Sequence, residues 1–347
     1  WVFLILSLLT PLIYNTRIMF PFSSARSFFF MAMIEIAFSS WLLLAIRDKR
    51  YRPKINPVTI IVSALFVSMI LSTLLGADPF YSFWSNYERM FGLLIQLHVF
   101  ALFVITSSLL KGEKDWVNLT LWLAPVATIV GFLSLLHNSK MIEMADYFKD
   151  GSTLGNTSFM GSYLLVALFF ILYGLIKSRG GWRIYLALNG VIVALAIFFN
   201  SGGRAMRGGL FIGLVLALIL WLSFENKRAI VRNLARVSLV IGLVLAIAIG
   251  ALAFTENSPV RSKITQMRGM TARFVVWDIG WQGFKERPIF GYGPENFRIP
   301  FEKHFEPKLS VLDGKEIWFD RAHNIVFEKL VTLGAVGTIL FFGSFLV

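Results

Sequence analysis

The sequence predicts an all-α, polytopic transmembrane bundle of about ten helices, and three observations carry that expectation. Of its 347 residues 56% are hydrophobic and only 15% charged, whereas soluble domains hold about a quarter charged residues. The mean hydropathy is +0.70. Apolar residues also gather into runs near the roughly 20 residues that cross a bilayer core, and basic residues return at every second connection between those runs.

Taken in order, the apolar runs cover 2–14, 28–46, 58–75, 93–110, 116–136, 158–176, 184–200, 208–224, 237–254 and 325–347. Residues 1–254 are thus expected to form nine transmembrane helices with short loops. Residues 255–324 form one large loop, and 325–347 the last transmembrane helix. The chain opens on Trp1 and stops at Val347 inside an apolar run, so it is expected to be a fragment, and no cleavable signal peptide is visible.

Basic residues fix the expected orientation. Arg47, Lys49, Arg50, Arg52 and Lys54 fall in one connection, and Lys111 and Lys114 in the next but one. Lys177, Arg179 and Arg183 follow, then Lys227, Arg228, Arg232 and Arg236. Such connections remain cytoplasmic, which puts the N-terminal end inside and the connections 76–92 and 137–157 outside. The 255–324 loop then faces outward as well, far longer than the two to eight residues that usually join packed helices. Inside it, 272–284 has helical spacing, and Phe274, Trp277, Ile279, Trp281 and Phe284 give an apolar face suited to lying along the membrane interface. Pro288, Gly291, Gly293 and Pro294 then enforce turns.

Composition excludes several chemistries. With no cysteine, disulfides, thiolate metal sites and cysteine nucleophiles are ruled out. No His-Glu-x-x-His spacing or convincing carboxylate pair appears, so no metal and no cofactor is expected. The net charge of +13 is accounted for by cytoplasmic anchoring rather than nucleic-acid binding. His98 and His137 read as ordinary membrane-end residues and His304 as a solvated loop residue.

Four outward places hold charge that orientation does not explain. Glu88 and Arg89 lie in the 76–92 connection, where a solvated anchor is the simpler account. Ser201-Gly202-Gly203-Arg204-Ala205-Met206-Arg207 is a glycine-rich turn opening a helix. Its backbone N–H groups and Arg204 suit an anion, because arginines against the positive-inside trend are costly unless paired. Arg268, Arg273 and Trp277 begin the loop helix. Asp320, Arg321, Ala322, His323 and Asn324 precede the last apolar run. A helix N-terminus favours a neutral imidazole at His323, which can serve as a base; interfacial anchoring is the alternative. Arginines beside a histidine at a lipid surface describe a site that binds a diphosphate and moves a proton. A polyprenyl-diphosphate-linked sugar has that form.

These residues fall in segments that resemble the O-antigen ligase and polymerase superfamily of bacterial envelope glycosyltransferases. The resemblance rests on Asn86-Tyr87-Glu88-Arg89-Met90-Phe91-Gly92, on the stretch from Leu154 to Leu164, and on Ser201-Gly202-Gly203-Arg204. It continues through Arg273-x-x-x-Trp277, the stretch from Glu286 to Phe297, and Phe319-Asp320-Arg321-Ala322-His323-Asn324. It implies a metal-independent, inverting transferase of the bacterial inner membrane with its active site facing the periplasm. A glycan would pass from undecaprenyl diphosphate to a lipid A-core-like, glycan or protein acceptor.

On that resemblance His323 is the catalytic base. Arg204, Arg273, Arg321 and Arg89 bind the donor diphosphate, and Glu88, Asp320, Asn324 and Arg207 support them. The family's usual Thr-x-Ser-Arg-Gly reads Ser-Gly-Gly-Arg-Ala here, which leaves Arg204 and Arg207 as rivals, with Arg204 preferred on spacing. Ligase, polymerase and protein O-oligosaccharyltransferase share this donor chemistry. Outside the family, a transporter or channel for an anionic or lipid-linked substrate also explains many helices with a basic outward vestibule. Transporters, however, usually show broken midplane helices and an internal repeat. A structural scaffold would leave Arg204, Arg273 and His323 without a reason.

Overall fold

The computed structural model describes residues 1–139, 151–200, 204–255, 258–266, 270–312 and 317–347, and for 204 and 205 the backbone alone. The described residues are mainly helical and contain no strand. In chain order the helices are α1 (Val2–Ser7), α2 (Ser24–Arg47), α3 (Pro57–Leu75), α4 (Pro79–Trp84) and α5 (Leu93–Leu109). Then come α6 (Glu113–Asn138), α7 (Thr157–Lys177), α8 (Gly181–Phe199), α9 (Arg204–Glu225) and α10 (Ala229–Phe254). The remainder are α11 (Pro259–Thr265), α12 (Met270–Glu286), α13 (Arg298–Lys303), α14 (Leu309–Leu312) and α15 (Ile325–Gly343). Eight of them, α2, α3, α6–α10 and α15, are long and apolar enough to cross a membrane, while the runs at 2–14 and 93–110 give shorter apolar helices. The first run is short because Pro11 ends regular helix and the chain tightens into a 3-10 turn at Thr10–Leu12. The protein is therefore a multi-pass helical membrane protein.

The chain forms two compact units. One comprises Trp1–Lys54, Tyr87–Met90 and Leu97–Leu216. Its centre is the packing of α6, α7 and α8 on one another through Ala124, Ala127, Val130, Leu164, Ile171, Val193 and Ala196. Small residues let these helices approach closely: a Cβ at Gly131 would lie 3.0 Å from that of Ala196. The Thr128 hydroxyl donates to Asn189 Oδ1 at 2.6 Å, joining α6 to α8 where no water is at hand. His98, expected as a membrane-end residue, meets the Glu35 carboxylate from the middle of α2 at 3.2 Å.

The other unit comprises Ile55–Asn86, Phe91–Gln96 and Ala217–Val347. Here α12 packs on α13, α14 and α15, and α15 packs on α3. Helix α12 begins two residues before and ends two after the predicted stretch, and its predicted apolar face is covered in part, with Trp281 exposed. Val276 and Ile279 are buried with Phe297, Phe301 and Phe319 of its own loop, while Phe274 packs against Phe254 and Trp277. Helix α10 starts at Ala229, not 237, so Arg232 and Arg236 lie on the helix rather than in the preceding loop. Arg236 Nε reaches back to the Ser223 carbonyl at 3.2 Å.

The last apolar run departs most from expectation. It is two short helices joined at Gly334, whose φ is 65°. The bend is sharp enough for the Lys329 ammonium to lie 5.0 Å from the ring centroid of Phe341, twelve residues on. A straight helix rising 1.5 Å per residue would separate those positions by about 18 Å. Backbone groups freed by such a break must find partners inside protein, and the turn at 288–293 provides them. Ala335 and Val336 donate to the carbonyls of Pro288 and Ile289 at 2.7 and 3.3 Å, while Tyr292 and Gly293 donate to those of Val331 and Thr332 at 2.8 and 2.9 Å. The Ser72 hydroxyl of α3 donates to the Thr332 carbonyl as well, at 2.7 Å.

Candidate functional site

The strongest cluster of functional groups in the second unit forms around the five residues that lead into α15. Asn324 is the N-cap of that helix, its Oδ1 accepting from the Val326 N–H at 2.9 Å. The Glu328 carboxylate in the first turn folds back to accept from the Ala322 N–H at 2.9 Å, so both ends of the short approach to the helix are tied down. Between them His323 sits at φ 49° with an exposed side chain. Non-glycine residues seldom adopt this left-handed conformation. Its ring stands edge-on to Phe319, with centroids 5.7 Å apart.

Arg321 points the other way. Its guanidinium is ion-paired with the Glu295 carboxylate, whose second oxygen accepts from the Ser85 hydroxyl at 3.1 Å. It also lies 5.7 Å from the Phe91 ring centroid. Burial works against the charge on Arg321, but the carboxylates of Glu295, Glu328 and Asp320 outweigh it and hold the pKa above the ordinary arginine value.

Arg273 comes from α12. It is exposed, and among the described residues its polar partner is the sulfur of Met270, at 3.9 Å. Four residues on, and so on the same helix face, the Trp277 indole donates to the Ala322 carbonyl at 2.8 Å. That face of α12 is thereby fixed against the Arg321-Ala322-His323 segment. Stacking of Trp277 on Phe327, with rings 8° from parallel and centroids 5.8 Å apart, adds to the hold.

The turn that runs from Glu286 to Phe297 supports both halves. Gly291, at φ 72°, lies so close to α15 that a Cβ would stand 2.5 Å from the Val331 carbonyl oxygen, so the spacing Gly291-x-Gly293 is indeed a turn. Asn296 is wholly buried, and its amide donates to Ser82 Oγ at 2.9 Å and to the carbonyls of Tyr292 and Asp78 at 2.9 and 3.1 Å. Glu286 accepts from Tyr292 Oη and pairs with Lys303 at 2.8 Å and His304 at 2.8 Å. Lys303 first, then Tyr292 and, to a lesser degree, His304, lower its pKa from 4.5 to about 2 against the opposing effect of burial. His304 is therefore part of this clasp rather than a solvated residue.

Glu88, Arg89, Arg204 and Arg207 belong to the first unit. Glu88 is exposed and Arg89 half-buried. Arg207 donates to the Phe198 carbonyl at 3.3 Å, satisfying one of the orphan acceptors at the end of α8. Arg204 opens α9, while its side chain, Ser201 to Gly203, and Arg268 lie outside the described residues. In the first unit Asn156 caps α7 by accepting from the Ser158 N–H at 2.8 Å, after Gly155 in the left-handed conformation. This gives the Leu154–Leu164 stretch a structural role.

Two carboxylates at the cluster were not singled out from sequence. Glu295 shows its partner only in three dimensions. Glu328, an acid inside an apolar run, carried a signal that could have been read, since such residues are expensive in lipid and rarely idle. Among the described residues no three His, Asp or Glu side chains are grouped to hold a metal ion.

Residues 190–342, which include α9, α10, the whole loop and most of α15, match the family model Wzy_C, described as O-antigen ligase. Comparison with the curated proteins and with the solved structures gave no match. Over residues 190–342 this multi-pass chain is similar to the O-antigen ligase family.

Proposed function

We propose that the protein moves a glycan from undecaprenyl diphosphate to an acceptor hydroxyl on the periplasmic face of the bacterial inner membrane, with inversion and without a metal ion. The observation that carries the reading is the Trp277 to Ala322 hydrogen bond of 2.8 Å. It joins the helix bearing an exposed arginine to the segment bearing an exposed histidine.

In this reading Arg273 meets the donor diphosphate, because its charge is not engaged by an acid among the described residues. Its planar fork matches phosphate oxygens. Arg321, whose charge is already balanced by Glu295, orients the segment and adds field rather than a direct clamp. His323 takes the proton of the acceptor hydroxyl as its oxygen bonds to the anomeric carbon. The bond from that carbon to the diphosphate oxygen breaks on the opposite face, and the electron pair leaves with the diphosphate, stabilised by arginine. Asn324 and Asp320 hold the histidine segment in place.

The experiment incubates purified protein with an undecaprenyl-diphosphate-linked oligosaccharide, EDTA and a panel of acceptors: lipid A-core, a second donor molecule and a serine-containing protein. Release of undecaprenyl diphosphate that depends on one acceptor, and that falls by about 10²-fold or more in His323→Ala, is the expected result. It also separates ligase, polymerase and protein-glycosylating activity. Undiminished release in His323→Ala would overturn the assignment of the base.

A further inference from the structure

We infer that the aromatic cavity on the opposite flank of Trp277 is a subsite for pyranose rings of a glycan chain. The inference builds on the transferase reading in that such a chain belongs to either the donor or the acceptor. The cavity has a volume of about 690 Å³, within the span of roughly 300–1,000 Å³ typical of small-molecule sites. It lies between α11, α12, α14 and the start of α15, wholly within the second unit.

Its walls combine two kinds of surface. Phe254, Trp277, Trp281 and Phe327 supply rings, and Trp281 is 44% exposed, which leaves part of its indole open to a ligand. Flat aromatic faces receive the C–H face of a sugar ring. Asp278, Arg261 and Lys308 stand among them. Among the described residues Asp278 takes one hydrogen bond, from Gln282 at 3.0 Å, whereas a carboxylate has roughly four acceptor positions. It is therefore equipped for hydroxyl donors.

Charge distinguishes a sugar from the other amphipathic candidates. A phosphate would have to sit against the Asp278 carboxylate, and both neighbouring cations are already engaged. Lys308 is ion-paired with Glu306, while Arg261 donates to the Phe254 carbonyl at 3.2 Å and lies 5.0 Å over the Phe274 ring. A hydrocarbon tail would leave the Asp278 carboxylate without compensation for lost water. A neutral, hydroxyl-rich ring with one apolar face satisfies both kinds of wall. Because Trp277 lines this cavity and also bonds Ala322, a sugar held here lies one side chain away from the segment that carries His323.

The test is saturation-transfer NMR on the full chain in nanodiscs, with lipid-free oligosaccharides of hexose, N-acetylhexosamine and deoxyhexose residues as probes. At least one probe should receive saturation at its ring C–H positions. Trp281→Ala and Asp278→Asn should weaken that binding about tenfold, while Trp281→Phe retains it and His323→Ala leaves it unchanged. Binding by no probe, or equal binding by Trp281→Ala, overturns the subsite. In the transfer assay, a KM raised about tenfold for one substrate at constant kcat in Trp281→Ala identifies that substrate as the source of the sugar. Sugar binding without any transfer would sink the transferase reading and leave the subsite standing. Transfer with both KM values unchanged in Trp281→Ala would do the reverse.

Discussion

Arg321 and Glu295, 26 residues apart in the chain, form an ion pair in which the acid side chain is only 9% exposed and the guanidinium 27%. Removing one partner of such a pair leaves a buried charge uncompensated, at a cost of about 3–5 kcal/mol. Glu295→Ala and Arg321→Ala should each lower the unfolding temperature in detergent, and the double variant should lose less than the two single losses added. Strict additivity in that cycle would show that the pair is not coupled.

Arg273 is the converse case. It is exposed and bound only to a methionine sulfur among the described residues, so Arg273→Ala should leave stability within about 0.5 kcal/mol of the parent. Donor turnover should still fall by at least about tenfold, with Arg273→Lys recovering only part of it because an ammonium cannot form a bidentate contact. Thermal unfolding and donor kinetics measured on the same preparations check both halves.

The Glu286 clasp gives an acid dependence with a definite sign. Its pKa falls from 4.5 to about 2 on folding, so its contribution is complete above pH 4.5 and is lost as the pH drops from there toward 2. Glu286→Gln should be less stable than the parent at pH 7, and the difference should shrink on acidification across that window. Parallel unfolding curves for the two proteins between pH 5 and pH 2, with a constant gap, would contradict it.

Gly291→Ala tests the contact between the loop turn and the broken helix. The position needs φ 72° and leaves 2.5 Å between a Cβ and the Val331 carbonyl oxygen. Backbone strain alone costs roughly 1–3 kcal/mol, and the close approach adds to it. Loss of activity together with a lowered unfolding temperature is expected. A normal melting curve would mean that the turn can withdraw from α15 without consequence.

Apolar run length made most of the membrane helices legible, and helical spacing located α12 to within two residues of either end. The motif pieces around Arg273 and His323 could also be read, because each is local. What escaped was non-local or conformational. Nothing in the spacing of α12 reveals that Phe297, Phe301 and Phe319 will pack over Ile279. Hydropathy is blind to one glycine at positive φ, so 325–347 reads as a continuous span although Gly334 divides it. Glu295 resembled any loop acid until Arg321 was brought beside it.

The four backbone hydrogen bonds joining 288–293 to 331–336 also bear on how domains of this kind can be exchanged. A chimera that grafts only 255–324 from another protein keeps the local chain continuous but asks a foreign turn to saturate the native break at Gly334. Crossover points placed before α12 and after α15 would move the turn and its helix as one inherited piece. Loop swaps cut at the helix boundary should yield misassembled membrane protein whatever the specificity of the loop they carry.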